Sequence, residues 1–168
     1  MTTDEARDYA KFWLNRGRSM HFELKQLTEY RKSLLEALGG GVASYSPKEI
    51  QTDTVGAQAK ADDLRLAYCE TCEKIERRFA EFATINNETL DYINKLEDAE
   101  QRALLAGRHI NFKTWGKVYH ELHLGRATAF RHYNLALSNI FSVLYRNNDD
   151  FKFMVDTENN QKLKIDTL

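Results

Sequence analysis

Proline is nearly missing from this chain: Pro47 is the only one in 168 residues, and the eight glycines cluster once, at Gly39-Gly40-Gly41. Long stretches are therefore free of the residues that break helices. No run approaches the roughly 18 uninterrupted apolar residues that a membrane span needs. The N-terminal MTTDEARDY has neither the basic nor the apolar region of a signal peptide, so a cytoplasmic location with no membrane partner is expected. Cysteine is equally scarce. Cys69 and Cys72 stand three apart in CETC, but a thioredoxin-like pair would need a βαβ setting and a structural zinc two further ligands. The simpler reading is two small apolar residues on one helix face in a reducing cell. With 42% apolar and 29% charged residues the composition is not that of a disordered or collagen-like chain, and the length suits one domain, or one small domain with a long appendage.

The net charge of −1 conceals an uneven distribution. Residues 1–106 hold 15 Lys or Arg against 19 Asp or Glu, and residues 138–168 hold four against five. Residues 107–137 hold five basic residues against Glu121 alone, together with four of the five histidines. A basic segment of this length in an otherwise acidic chain is a candidate electrostatic footprint for nucleic acid.

Helical periodicity dominates the first two thirds. Trp13, Met20, Leu24, Leu27, Leu34 and Leu38 recur at helical spacings, which predicts one long amphipathic helix over 3–38 that stops at the three glycines. The stretch VASYSPKEIQTDTVG reads as a loop. A second long helix is expected from about Thr54 or Gly56 to Leu96. Its positions Tyr68, Cys72, Ile75, Phe79, Phe82, Asn86, Thr89, Ile93 and Leu96 step alternately by four and three, the spacing of a coiled-coil seam. Either Asn86 is a polar seam position or Asn86-Asn87 breaks the helix. Such a helix must pack against the first as an antiparallel hairpin or against a second chain, so a homo-oligomer, read as a dimer, is expected.

From Asp98 the elements shorten. Asp98 with Gln101 predicts a helix cap. Thr114 predicts another, ahead of a helix over Trp115–Leu122, and His123-Leu124-Gly125 predicts a break before a helix from Arg126 to about Tyr145. Beyond it, Phe151, Phe153 and Val155, then Leu163 and Ile165, alternate with other residues around Asn159-Asn160, which predicts a small β-hairpin. The expected fold is thus mainly α: an association region of long helices over 1–96, a helix-turn-helix over 97–146, and a β-hairpin tail over 147–168.

Two short helices joined by a tight turn, the second rich in Arg, are the arrangement that places a recognition helix in a major groove. Trp115, Val118, Tyr119 and Leu122 supply the apolar face of the first helix, and Ala129 the small residue where the helices approach. Ala129, Tyr133 and Ala136 or Leu137 then face inward, leaving Arg126, Thr128, Arg131 and Asn134 outward. Arg126 and Arg131 are the candidates for base edges, since arginine bonds guanine in a bidentate fashion. Arg108, Lys113 and Lys117 are candidates for phosphates, as is Thr114, whose position at a helix start turns backbone amides outward.

The stretch from Leu96 to Ile140 resembles phage regulators of the ArpU and RinA type, themselves similar to the promoter-reading C-terminal region of sigma factors. The likeness rests on Arg102-x-Leu104-Leu105-x-x-Arg108, on Lys113-Thr114-Trp115 and on the run Thr128 to Leu137, with Asp53-Thr54-Val55-Gly56 upstream. It implies double-stranded DNA binding and control of phage operons such as late genes in the host cell, with contact to host RNA polymerase open to it. It also carries the base-contacting positions onto Arg126, Ala127 and Arg131. Two positions depart from the family: His123 replaces the turn glycine and Gly125 the Ser or Thr cap, which bears on the angle of the helix, and Ala127 offers no polar group to a base.

Other classes fit less well. His120-Glu121-Leu122-His123 spaces its histidines by three where a zinc-protease helix needs four, and no phosphate loop or nucleophile elbow is present. No enzyme activity, metal or cofactor is expected, and His109 and His132 read as surface or packing residues. A DNA-packaging recognition subunit of the small-terminase kind and a helical protein-interaction adaptor remain the rival readings.

Overall fold

The computed structural model describes residues 1–40 and 54–165, with side chains over 1–39 and 58–160. The helices are α1 (Thr3–Leu14), α2 (Arg16–Leu35), α3 (Thr54–Asn94), α4 (Ala99–Leu105), α5 (Trp115–Glu121), α6 (Arg126–Asn147) and α7 (Asp149–Ile165), and no strand occurs among the described residues. The loop expected from residue 42, including Pro47 and Asp53, lies outside the described residues as far as residue 53. The chain divides into two units, one formed by residues 1–19 with 84–168 and the other by residues 20–83.

The single helix expected over 3–38 is in fact two. α1 opens with a reciprocal cap in which Thr2 Oγ1 accepts from the Glu5 amide at 3.2 Å and Glu5 Oε2 accepts from the Thr2 amide at 2.7 Å. It ends at Asn15, which leaves the helical conformation (φ −86°, ψ 1°). Apolar spacing does not see this break, because α2 resumes one residue later. α2 closes in a wide turn at Glu36–Gly40 where Gly39 adopts φ +95°, a left-handed conformation that a residue with Cβ resists. The expected stop at the glycines is met there.

In the unit of residues 20–83, α2 and α3 run antiparallel. His21 meets Phe82 with ring centroids 6.1 Å apart, and Glu23 pairs with Arg78 at 3.3 Å. Leu34 and Thr71 are buried in this unit, and Cys69 is exposed, whereas Cys72 is half-buried. Phe79 is 60% exposed, and Phe22, Tyr30, Leu35 and Leu66 are also exposed. α3 continues through Asn86-Asn87 without a break.

The other unit holds the main core. Tyr9, Ala10, Trp13 and Leu14 of α1, Ile93 of α3 and Leu96 just beyond it pack with Tyr133, Ala136, Leu137, Ile140, Phe141 and Leu144 of α6 and Phe151 and Val155 of α7. Trp13 meets Tyr92 edge-on at 5.3 Å, and Arg16 lies 3.8 Å over the Trp13 ring while pairing with Glu88 at 2.9 Å. Residues 1–14, expected to belong to the association region, thus pack along α6.

The C-terminal β-hairpin is not formed; residues 149–165 are α7. The buried positions are Phe151 and Val155, with Met154 half-buried, a helical spacing of three and four, while Phe153, which the alternating pattern turns inward, is 74% exposed. A local signal for the helix start was present: the Phe151 amide donates to Asn148 Oδ1 at 2.8 Å, and Asp149 and Asp150 occupy the first turn, where acidic residues suit the helix dipole.

Candidate nucleic-acid interface

α4 begins as expected at Asp98, whose Oδ1 accepts from the amides of Glu100 and Gln101 at 2.8 and 3.2 Å. Those bonds, the Gln101 amide first, hold the Asp98 carboxyl below its ordinary range. Leu104 and Leu105 are fully buried, and Arg102 donates to the carbonyls of Leu96 and Glu97 at 2.6 and 2.8 Å, fastening α4 to the end of α3. α4 runs into a π-helical turn at Ala106–Ile110.

α5 and α6 form the helix pair. Val118 of α5, Ala129 of α6 and Leu104 of α4 make a small buried cluster, with Tyr119, Leu122 and Leu124 packed around it. Ala129 is wholly buried, the close approach its small side chain permits. The connection at 122–125 turns on His123, which adopts φ 53°, the left-handed conformation that glycine usually supplies. His123 thus makes the turn without a glycine, with backbone strain at that residue. Gly125 stands at the start of α6 without a side-chain cap.

The candidate residues divide by environment. Arg126, Ala127, Arg131 and Asn134 are exposed on α6 and Thr128 is half-buried. Arg126 lies 5.9 Å over the Phe130 ring, and neither Arg126 nor Arg131 pairs with a carboxylate among the described residues. Lys117 is exposed on α5. Lys113 instead pairs with Glu121 at 2.6 Å. Thr114 occupies the position before α5, but its hydroxyl makes no capping hydrogen bond, a correction to the expected cap. Arg108 turns inward, donating to the Lys113 carbonyl at 2.9 Å with its guanidinium 5.2 Å from the Trp115 ring. Burial, and then the charge of Arg18, lower its pKa. The α6 residues and Lys117 are thus the open cations and polar groups, while Arg108 and Lys113 serve the fold as well.

The two histidines singled out have structural partners. His132 Nδ1 contacts Glu100 Oε1. His109 is buried, its Nδ1 3.1 Å from Asn15 Oδ1 and its Nε2 2.9 Å from the Tyr133 hydroxyl. A neutral ring satisfies both: Nδ1–H donates to the Asn15 carbonyl oxygen and Nε2 accepts from Tyr133. Burial, reinforced by Arg108, Arg18 and Lys11, pushes the His109 pKa down to about 3, and burial pushes Tyr133 up to about 12. This hub ties the α1–α2 junction to α6.

Sequence reasoning missed Lys11 and Arg18, which the fold brings beside Arg108, Trp115 and Phe130. No local signal marks them, because they lie on the N-terminal helices far from the basic segment.

Residues 43–140 match the family model described as Protein of unknown function (DUF1492), a span that contains α4, α5 and most of α6. No curated protein and no solved structure matches the chain. No helix among the described residues is long and apolar enough to cross a membrane.

Proposed function

We propose that this chain, which belongs to the DUF1492 family, is a sequence-specific DNA-binding regulator of phage operons, of the ArpU and RinA type, reading the major groove with the first turns of α6. The observation that carries the reading is the exposure of Arg126 and Arg131 on a helix braced from beneath by α5, with no carboxylate among the described residues neutralising either. Unpaired arginines on a supported helix suit bidentate contact with guanine and charge-assisted contact with phosphate. Lys117, exposed on the preceding helix, suits a phosphate contact that positions without specifying.

Association of chains is the second part of the reading. The exposed apolar side chains of the unit formed by residues 20–83, Phe79 and Leu66 foremost, form the kind of surface that a second copy covers. A dimer would present two α6 helices to two half-sites.

The test is genome-wide footprinting followed by binding of the recovered duplex. Arg126→Ala and Arg131→Ala are each expected to weaken specific binding by about 1–3 kcal/mol and to relax the sequence preference. Unchanged affinity in both variants overturns the assignment of α6. A closed ring in solution would favour the packaging reading, and absence of DNA binding the adaptor.

A further inference from the structure

A cavity of about 310 Å³ lies beside α6, lined among others by Lys11 of α1, Arg18 of α2, Arg108, Trp115, Phe130 and Tyr133. All of these residues belong to the unit formed by residues 1–19 and 84–168. Lys11, Arg18 and Arg108 bring three positive charges to its lining, and no carboxylate lines it. Some cations of this chain sit against carboxylates, Arg7 with Asp4 at 3.0 Å, Arg16 with Glu88 at 2.9 Å, Arg78 with Glu23 at 3.3 Å and Lys113 with Glu121 at 2.6 Å. Lys11 and Arg18 have no such partner among the described residues.

Like charges gathered in a partly desolvated recess repel each other more strongly than they would in water, and a fold that holds them together without a counter-charge is poised for an anion. Burial first, and then the charge of Arg18, disfavours the charged form of Arg108, and burial first, then Arg108, Arg18 and Lys11, disfavours a charge on His109. Aromatic rings share this lining. The Trp115 and Phe130 ring centroids lie 4.6 Å apart at a tilt of 41°, and Tyr133 meets Trp115 edge-on at 4.7 Å, so the organic part of an anion would find an angled cluster of aromatic rings to pack against.

We propose that this cavity is a phosphate-binding site in which Lys11, Arg18 and Arg108 grip the phosphate of an ester whose organic part rests against Trp115 and Phe130. The site shares Arg108 and Asn134 with the candidate DNA interface but contains neither Arg126 nor Arg131, so it does not require that those two arginines read DNA. The phosphate has two possible sources, the backbone of a duplex or a free phosphate-bearing small molecule.

The full chain, labelled with ¹⁵N, is titrated with inorganic tripolyphosphate and separately with duplex DNA. The chain has two tryptophans, so its spectrum has two indole resonances, and Trp115→Phe identifies the one from the cavity. That resonance is expected to move to saturation with tripolyphosphate while the indole of buried Trp13 stays in place. Lys11→Gln and Arg18→Gln are each expected to weaken tripolyphosphate binding about tenfold, the loss of one charge-assisted hydrogen bond. Lys25→Gln, an exposed lysine of the other unit, is expected to leave it unchanged. Lys11 is exposed, so its variant is expected to keep the wild-type melting temperature and serves as the test if Arg18→Gln does not fold. An immobile Trp115 resonance, or an equal loss in Lys25→Gln, overturns the site. Duplex affinity that falls with Arg18→Gln assigns the phosphate to DNA, and duplex affinity untouched by it assigns a free ligand. Arg126→Ala and Arg131→Ala should alter duplex binding alone, which separates failure of this site from failure of the α6 reading.

Discussion

Acid should destabilise this protein through one buried imidazole. His109 is 3% exposed and its pKa is pushed down to about 3, whereas in the unfolded chain it titrates near the ordinary 6.5. Below pH 6.5 the unfolded state therefore binds a proton that the folded state refuses. The stability associated with the neutral ring is complete above about pH 7.5, and it declines as the pH falls through 6.5, at a limiting slope of about 1.4 kcal/mol per pH unit, until the folded pKa is reached. By pH 5 the loss amounts to about 2 kcal/mol, a large share of the 5–15 kcal/mol typical of a folded domain. The assay is urea unfolding at pH 7.5 and 5.0 for the wild type and for His109→Gln, which keeps a donor and an acceptor for Asn15 and Tyr133 but cannot titrate. Carboxylates titrate alike in both proteins, so the difference isolates the imidazole. Parallel losses in the two proteins, or a His109 resonance that titrates between pH 7 and 5 in the folded state, would refute the reasoning.

Other outcomes follow from single side chains. Lys117→Ala should lower the salt dependence of duplex binding by about one unit of slope if it meets one phosphate, with sequence preference retained, as measured by affinity across a salt series. His123→Gly should raise thermal stability by about 1 kcal/mol, because it removes a Cβ from a residue at φ 53°. Lower stability would mean that the His123 side chain matters more than the strain. Phe79→Glu should shift the sedimentation profile toward the smaller species while the helical circular dichroism signal is kept; an unchanged profile removes this face from the association surface.

Much of the region from α4 to α6 could be read from short-range signals. The Asp98 cap, the break at 123–125 and the inward positions Ala129, Tyr133 and Leu137 are all set within one or two helical turns of sequence, and the structure has them as expected. Thr114 shows the limit of such reading, since residue type at a helix start does not decide whether the hydroxyl turns to the amides. The tail departs from the expected hairpin for a related reason: a short apolar run that includes Phe151, Phe153 and Val155 suits period two and helical spacing alike, and only the α1 and α6 surfaces beneath it select Phe151 and Val155 as the buried pair. The cationic cavity was not legible at all, because Asn15 and His109 meet across 94 residues of chain.

The helical class, the uneven charge and the position of the arginine-bearing helix are written into the chain locally, because period, breakers and caps act between near neighbours. Only tertiary packing set the first helix along α6, made residues 149–165 a helix and brought Lys11 and Arg18 to the cavity that Arg108 lines. Those outcomes depend on which apolar faces bury each other, and burial is a property of surfaces brought together by the whole fold, which no local spacing encodes.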